Sequence, residues 1–175
     1  MSSLSVFHQS TPDIPNKVLT HLEDIAATLA EQGIRFERWT AQSPVQADAG
    51  QAGVLAAYQA QIDRLQHEGG YRAVDVISAS GDPMSELLDE HVYSDDLVRF
   101  FAAGRSLVSV RAGEYVHAVV CEKGDLIVVP AGLRVWIDGG DNPHFVAVRL
   151  FNQSEGVVAQ FTGEKLAERY ARLDD

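Results

Sequence analysis

A short segment of the chain places side chains that can transfer protons or bind a metal ion on one face of a candidate strand. Alternate residues of a strand share a face, so His91, Tyr93 and Asp95 are expected to point the same way. The imidazole and the phenol could move a proton or hydrogen-bond a substrate oxygen. Together with His117 or His144 from another strand, His91 and Asp95 could instead hold a divalent ion. The simpler alternatives make Tyr93 a cavity filler and Asp95 a polar residue at a strand end.

Two arginines in apolar segments, Arg99 and Arg149, are candidates for binding an anion. A guanidinium inside a protein is costly unless an opposite charge balances it. Two such groups could hold a carboxylate, a phosphate or an enolate. The alternative is that Arg99 pairs with Asp95 or Glu90 and braces the fold. Arg134 lies beside a turn and is expected to be exposed.

Composition limits the class of protein and its partners. A chain of 175 residues is long enough for one domain, and its net charge of -11 argues against nucleic acid or anionic membrane as a partner. The single cysteine, Cys121, excludes an internal disulfide and is expected to be a small buried hydrophobe. The sequence shows neither a signal peptide nor a membrane span, so a cytoplasmic location is expected. The oligomeric state stays open.

Periodicity and turn signals predict which elements carry these side chains. Apolar spacing predicts helices over residues 14–32 and 53–68, with strands over 4–8, 34–39 and 71–78. After residue 90, short strands alternate with glycine turns, at 98–102, 106–111, 115–122, 125–129, 135–138, 145–151 and 157–161, and a short helix is expected over 164–172. We therefore predict one mainly β domain, with N-terminal strands and helices in 1–88, barrel strands in 89–163 and a closing helix and tail in 164–175.

Several motifs carry a resemblance to a known family. The run Gly124–Gly132, a strand followed by Pro130 and a glycine turn, resembles the second motif of cupins. Further matches cover nearly the whole chain: Pro12–Thr20, Asp89–His91, Val98–Phe101, Val120–Lys123, Asn142–Phe145, Val148–Asn152 and Phe161–Gly163. Together these runs make the chain similar to bacterial acireductone dioxygenases of the cupin superfamily. The resemblance implies a double-stranded β-helix, or jelly-roll, barrel with the N-terminal helices packed outside.

The resemblance also implies an activity and a metal site. Acireductone dioxygenases catalyse the oxygen-consuming step of methionine salvage with iron or nickel in the barrel, and the metal decides the products. Their ligands follow the pattern His-x-His-x-x-x-Glu, with a further histidine directly before a tryptophan. In this chain those positions hold His91, Tyr93, Leu97 and Val135. Because leucine and valine have no donor atom and a neutral phenol is a poor ligand, we expect no cofactor here, or iron or nickel only if the site is rebuilt.

Other residues at family positions are candidates for substrate binding. Arg99 and Arg149 match arginines that the family keeps, and Phe100 and Trp136 match aromatic positions that fill the barrel or form a substrate wall. The chain also looks shorter than the family between residues 78 and 87, which would alter the entrance to the pocket.

Three functions remain open from the sequence. The first is an isomerase or lyase that works without a metal on a small polar or anionic metabolite, with His91 and Tyr93 as catalytic residues and Arg99, Arg149 and Asp95 holding the substrate. The second is a catalytically silent cupin that binds a ligand or regulates a partner. The third is acireductone dioxygenation through an altered metal site.

Overall fold

The computed structural model describes residues 2–41, 50–81 and 85–175. The first half contains β1 (Ser3–His8), β2 (Lys17–Leu19), α1 (Leu22–Ala30), β3 (Arg35–Arg38), α2 (Gln51–Ala57), α3 (Gln59–Gly69) and β4 (Ala73–Ser80). After a 3₁₀ turn at Ser85–Leu88 come β5 (His91–Val92), β6 (Leu97–Ala112), β7 (Tyr115–Glu122), β8 (Asp125–Val129), β9 (Arg134–Asp138) and β10 (His144–Phe151). A 3₁₀ turn at Ser154–Val157, β11 (Gln160–Phe161) and a last 3₁₀ turn at Leu166–Arg169 complete the chain.

Two antiparallel sheets share one long strand. The first sheet runs β2-β1-β7-β6-β9-β5-β11, and the second runs β4-β10-β6-β8-β3. Strand β6, 16 residues long, pairs with β10 and β8 through its first half and with β7 and β9 through its second half. Because one strand passes from sheet to sheet, apolar side chains of both sheets enclose one interior. The predicted mainly β barrel is confirmed.

Gly104 is where β6 changes sheets. Its φ is +74°, and a Cβ there would lie 2.0 Å from the carbonyl oxygen of His144, so only glycine fits. The register between β6 and β10 also shifts nearby, between Val146 and Ala147. The sequence prediction of two strands, 98–102 and 106–111, is therefore corrected to one bent strand.

The helices differ from their predicted bounds because pairing and packing override periodicity. The helix predicted over 14–32 begins only at Leu22, since Val18 and Leu19 pair with β1 as strand β2. The helix predicted over 53–68 is divided into α2 and α3 at Tyr58, whose backbone leaves the helical region and whose side chain is buried against Phe100. The predicted closing helix is a single 3₁₀ turn.

Buried side chains form three clusters. The largest fills the barrel and includes Leu97, Phe101 and Val135. A second lies between the outer face of the second sheet and helices α2 and α3, and a third lies under the C-terminal segment. No helix in the described part of the chain has both the length and the apolar character that a membrane crossing requires.

Candidate functional site: a buried arginine at one end of the barrel

The segment between β5 and β6 is a bend, and a neighbouring turn holds it in place. The backbone N–H of Gly132 donates to the carbonyl oxygen of Tyr93 over 3.0 Å, and the N–H of Ala131 donates to Asp96 Oδ1 over 2.9 Å. The expectation of one strand through Asp95 is therefore wrong. Asp95 turns outward, and its Oδ2 accepts a hydrogen bond of 2.6 Å from the backbone N–H of Asn152. It braces two loops at a surface cavity instead of facing the barrel interior.

His91 and Tyr93 do meet inside the barrel. His91 Nδ1 lies 2.7 Å from the carbonyl oxygen of Asp89, which can only accept, so Nδ1 carries the proton. Its Nε2 lies 3.1 Å from the Tyr93 hydroxyl, which then acts as the donor. Burial lowers the pKa of His91 and the nearby charge of Arg99 lowers it further, while burial raises the pKa of Tyr93. Both groups are therefore neutral near pH 7, and both nitrogens of His91 are engaged.

Arg99, on β6, is the most unusual group of the barrel. Its side chain is buried, with 4% of the residue exposed. The Nε and Nη1 atoms have no hydrogen-bond partner among the described residues, and no ion pair forms with a described carboxylate. The alternative that Arg99 pairs with Asp95 or Glu90 is therefore wrong. Burial lowers the pKa of Arg99, yet a guanidinium stays protonated at neutral pH, so a positive charge lies in the interior with two unused donors.

Arg149 lies directly opposite Arg99 on β10, but it has a partner. Its Nε and Nη2 donate to the two carboxylate oxygens of Asp75 over 2.9 and 2.7 Å. Sequence analysis missed Asp75, although a charged residue between Val74 and Val76 in an apolar strand was a usable signal.

A small cavity joins these groups. It measures about 10 Å³, enough for about one water molecule, and Tyr93, Arg99, Arg149 and Asp96 are among its lining residues. Both carboxylate oxygens of Asp96 already accept hydrogen bonds, from the Tyr71 hydroxyl over 2.7 Å and from a backbone N–H over 2.9 Å. The predicted site residues that the structure brings together are thus the histidine, the tyrosine and the two arginines.

The positions implied as metal ligands do not form a metal site. Leu97 and Val135 are buried in the apolar cluster of the barrel. The rebuilt alternative also lacks support, because His117 is separated from His91 by strands β9 and β6, and His144 is exposed on β10. Within residues 2–41, 50–81 and 85–175, no three His, Cys, Asp or Glu side chains form a group that could hold a metal ion.

Phe100 and Trp136 face away from the barrel interior. Phe100 packs against Trp39 and Tyr58 beneath the helices, with ring centroids 4.6 and 4.5 Å away. Trp136 packs against Tyr170 in the cluster under the C-terminal segment. Since neighbouring residues of a strand point to opposite faces, the side chains next to Arg99 and Val135 must point outward. The prediction that these aromatics form a substrate wall is corrected.

Glu90 is a second buried charge near the site, and it is fully balanced. Its carboxylate lies 3.2 Å from Arg111 Nη1 and 3.6 Å from Arg134 Nε, and it accepts a hydrogen bond of 2.8 Å from the Thr162 hydroxyl. The exposure predicted for Arg134 is confirmed, with 46% of its side chain accessible. The predicted burial of Cys121 is also confirmed, and burial raises its pKa well above the ordinary value.

Comparison with known proteins identifies relatives along the full chain. The model of the ARD/ARD' family matches residues 4–159. Acireductone dioxygenases of Pseudomonas fluorescens (strain Pf0-1) and Pseudomonas syringae pv. syringae (strain B728a) are each 57% identical to this chain, and each alignment covers 100% of both proteins. These alignments run over 181 positions, more than the 175 residues of the chain. The shortening predicted between residues 78 and 87 falls partly on residues 82–84, which lie outside the described part of the chain.

A solved structure extends the likeness to the fold and corrects one expectation. Acireductone dioxygenase from Bacillus anthracis with a cadmium ion in its active centre is 27% identical, with a TM-score of 0.77, over 92% of this chain and 98% of that one. That structure has a metal ion in its active centre, and the curated relatives are acireductone dioxygenases. A metal ion is therefore the cofactor to expect, and the sequence-based expectation of no cofactor is wrong. The four implied ligand positions of this chain nevertheless do not fit such an ion, since they offer one imidazole and one phenol.

Sequence, fold and family model agree on the relationship. The match extends from β1 to the residue before β11, and the solved relative has the same barrel. The chain belongs to the acireductone dioxygenase (ARD/ARD') family.

Proposed function

We propose that this cupin binds a small organic anion, a carboxylate or an enediolate, on Arg99 inside the barrel. One observation carries the proposal: a buried guanidinium with two donors that the described residues leave unused. Leaving a buried charged donor unsatisfied costs more than an ordinary hydrogen bond contributes. An anion would have to widen the adjoining cavity, which has room for about one water molecule, and would then accept from Nε and Nη1 and balance the charge.

His91 and Tyr93 are the catalytic residues of the proposal, because Tyr93 and Arg99 line the same cavity and His91 Nε2 lies 3.1 Å from the Tyr93 hydroxyl. In an enolisation, the substrate C–H would give its proton to the Tyr93 oxygen as the hydroxyl proton passes to His91 Nε2. The guanidinium of Arg99 would stabilise the negative charge that develops on the substrate oxygen. This is isomerase or lyase chemistry on an enolisable acid.

The binding test is thermal stabilisation of the purified protein by formate, with Arg99→Met as the variant. Formate is expected to raise the Tm of the natural chain in a saturable manner, since a ligand that binds only the folded state stabilises it. The variant, matched in length but uncharged, should show no formate effect, whereas Arg105→Met removes an exposed arginine of the same strand and should keep it. A formate effect of equal size in both variants would rule out Arg99 as the anion site.

Turnover separates an enzyme from a silent binding protein. Tyr93→Phe removes only the hydroxyl, so conversion of an enolisable acid should be lost while formate binding persists. If the natural chain binds formate but converts no enolisable acid, the silent binding cupin is the better account.

Acireductone dioxygenation is the second candidate, and the 57% identity to acireductone dioxygenases supports it. It predicts stoichiometric iron or nickel in protein expressed with both metals, and oxygen uptake with an acireductone. The triple variant Tyr93→His, Leu97→Glu, Val135→His restores the ligand pattern implied by the resemblance and serves as the positive control. Metal in the triple variant but not in the natural chain would reject this candidate.

A further inference from the structure

A row of three charged side chains crosses the second sheet at the end of the barrel where Arg99 lies. Arg149 on β10 has Asp75 as its Cα partner on β4 and Arg99 as its partner on β6. Partners in an antiparallel pair carry side chains on the same face, about 5 Å apart at Cβ. The order across the sheet is therefore carboxylate, guanidinium, guanidinium, running from a partly exposed edge into the interior.

The carboxylate of this row is committed to the outer arginine. Asp75 receives both hydrogen bonds from Arg149, with 37% of its side chain exposed against 20% for the arginine. The bidentate geometry is the strongest arrangement that a guanidinium and a carboxylate form. One positive charge, that of Arg99, is left over at the inner end.

The cavity wall also carries one negative charge, that of Asp96. Asp96 contributes to its wall, and both of its oxygens accept hydrogen bonds from the protein. A ligand on Arg99 therefore meets one free guanidinium, with the Asp96 carboxylate in the same cavity wall. A second negative charge on the ligand would find no free cation, because Arg149 is paired with Asp75, and would be repelled by the Asp96 carboxylate.

We infer that Asp75 determines specificity by neutralising Arg149, which restricts the Arg99 site to singly charged anions. The inference rests on the proposed anion binding and adds the charge class of the ligand. The Arg99 cavity adjoins a surface cavity of about 370 Å³ next to Asp95, because Gly156 lines both. Removing the charge of Asp75 should free Arg149 and open the site to dianions.

The test compares oxamate and oxalate, which have nearly the same shape but carry one and two negative charges. Dissociation constants are measured by calorimetry for the natural chain, Asp75→Asn, and the double variant Asp75→Asn/Arg149→Gln. The natural chain should prefer oxamate. In Asp75→Asn the preference should move towards oxalate by about tenfold or more, the size of effect that a nearby opposite charge has on ionisation. The double variant removes the freed charge and should return to preferring oxamate.

The controls keep folding and binding apart from selectivity. Asp63→Asn removes a carboxylate exposed on α3 and should leave the ratio of the two constants unchanged. If the natural chain binds neither anion, the proposed function fails. If it binds both equally, or if Asp75→Asn folds and keeps the natural ratio, anion binding stands but the role of Asp75 is rejected. If the double variant also prefers oxalate, the role of Asp75 is rejected, because a freed Arg149 could not then be the cause of the oxalate preference.

Discussion

Two buried charges near the same end of the barrel, Glu90 and Arg99, differ in how they are balanced. Glu90 is surrounded by Arg111, Arg134 and the Thr162 hydroxyl, so its charge and both of its carboxylate oxygens have partners. Arg99 is equally buried, yet its Nε and Nη1 have no partner in the described residues. A balanced buried charge ties strands together, whereas an unbalanced one costs stability unless a ligand completes it. The comparison distinguishes a buried charge that stabilises the fold from a buried charge that is available to bind a ligand.

The largest effect on the free energy of unfolding is expected for a substitution of Glu90. Glu90→Gln keeps the shape of the side chain but removes the charge that pairs with Arg111 and Arg134. Removing this buried charge loses the charged hydrogen bonds to two partly exposed guanidiniums and should lower the free energy of unfolding by about 2 kcal/mol, measured by urea denaturation. Glu114→Gln, an exposed carboxylate near His8, should change it by less than about 0.5 kcal/mol. Equal effects of the two substitutions would show that the Glu90 network is not structural.

A substitution of Arg99 is expected to change the free energy of unfolding in the opposite direction or not at all. In buffer without small anions, Arg99→Met replaces an unsatisfied charge by an apolar side chain of similar length, so stability should be unchanged or rise by about 1 kcal/mol. The same denaturation experiment measures it. A loss of about 2 kcal/mol or more, the usual cost of deleting a satisfied charged hydrogen bond, would mean that the protein itself balances Arg99.

His117 is a third buried polar group, and it differs from Glu90 and Arg99 because it can be buried in its neutral form. It is 3% exposed and its Nδ1 has no partner among the described residues. Burial lowers its pKa below the ordinary 6.5, and Lys17 nearby lowers it further while Glu31 opposes the shift. The unfolded chain therefore binds a proton more readily, so stability is complete above the ordinary pKa and is lost as pH falls towards the folded pKa.

The measurement is the free energy of unfolding between about pH 7 and about pH 5.5, where His117→Leu should reduce the acid-induced loss by about 1 kcal/mol. His91, whose pKa burial also lowers, should account for part of the remaining loss. An identical pH profile in the variant would contradict the assignment to His117.

Periodicity predicted the barrel because the barrel strands are local patterns. Strands Tyr115–Glu122 and Asp125–Val129 appear with the predicted bounds, set by apolar alternation and by the glycine turn between them. The helix predicted from residue 14 failed because residues 17–19 pair with β1, an interaction with residues distant in the sequence. Local patterns do not contain that information.

The site was predictable only in part, for the same reason. Tyr93 and Arg99 lie close along the chain, and alternation plus resemblance was enough to bring them together. The bend that turns Asp95 outward depends on hydrogen bonds from the distant turn at residues 131–132. The pairing of Asp75 with Arg149 likewise depends on the register of β4 and β10, which the sequence does not show directly.

The most direct test of the Arg99 site is a crystal structure of the natural chain grown in sodium bromide, with anomalous data collected at the bromine edge. We expect an anomalous peak within hydrogen-bonding distance of Arg99 Nε and Nη1, and no such peak in Arg99→Met. A structure in which a carboxylate of the protein pairs with Arg99, or in which only water contacts its Nε and Nη1, would contradict the claim that this charge is completed by an anionic ligand.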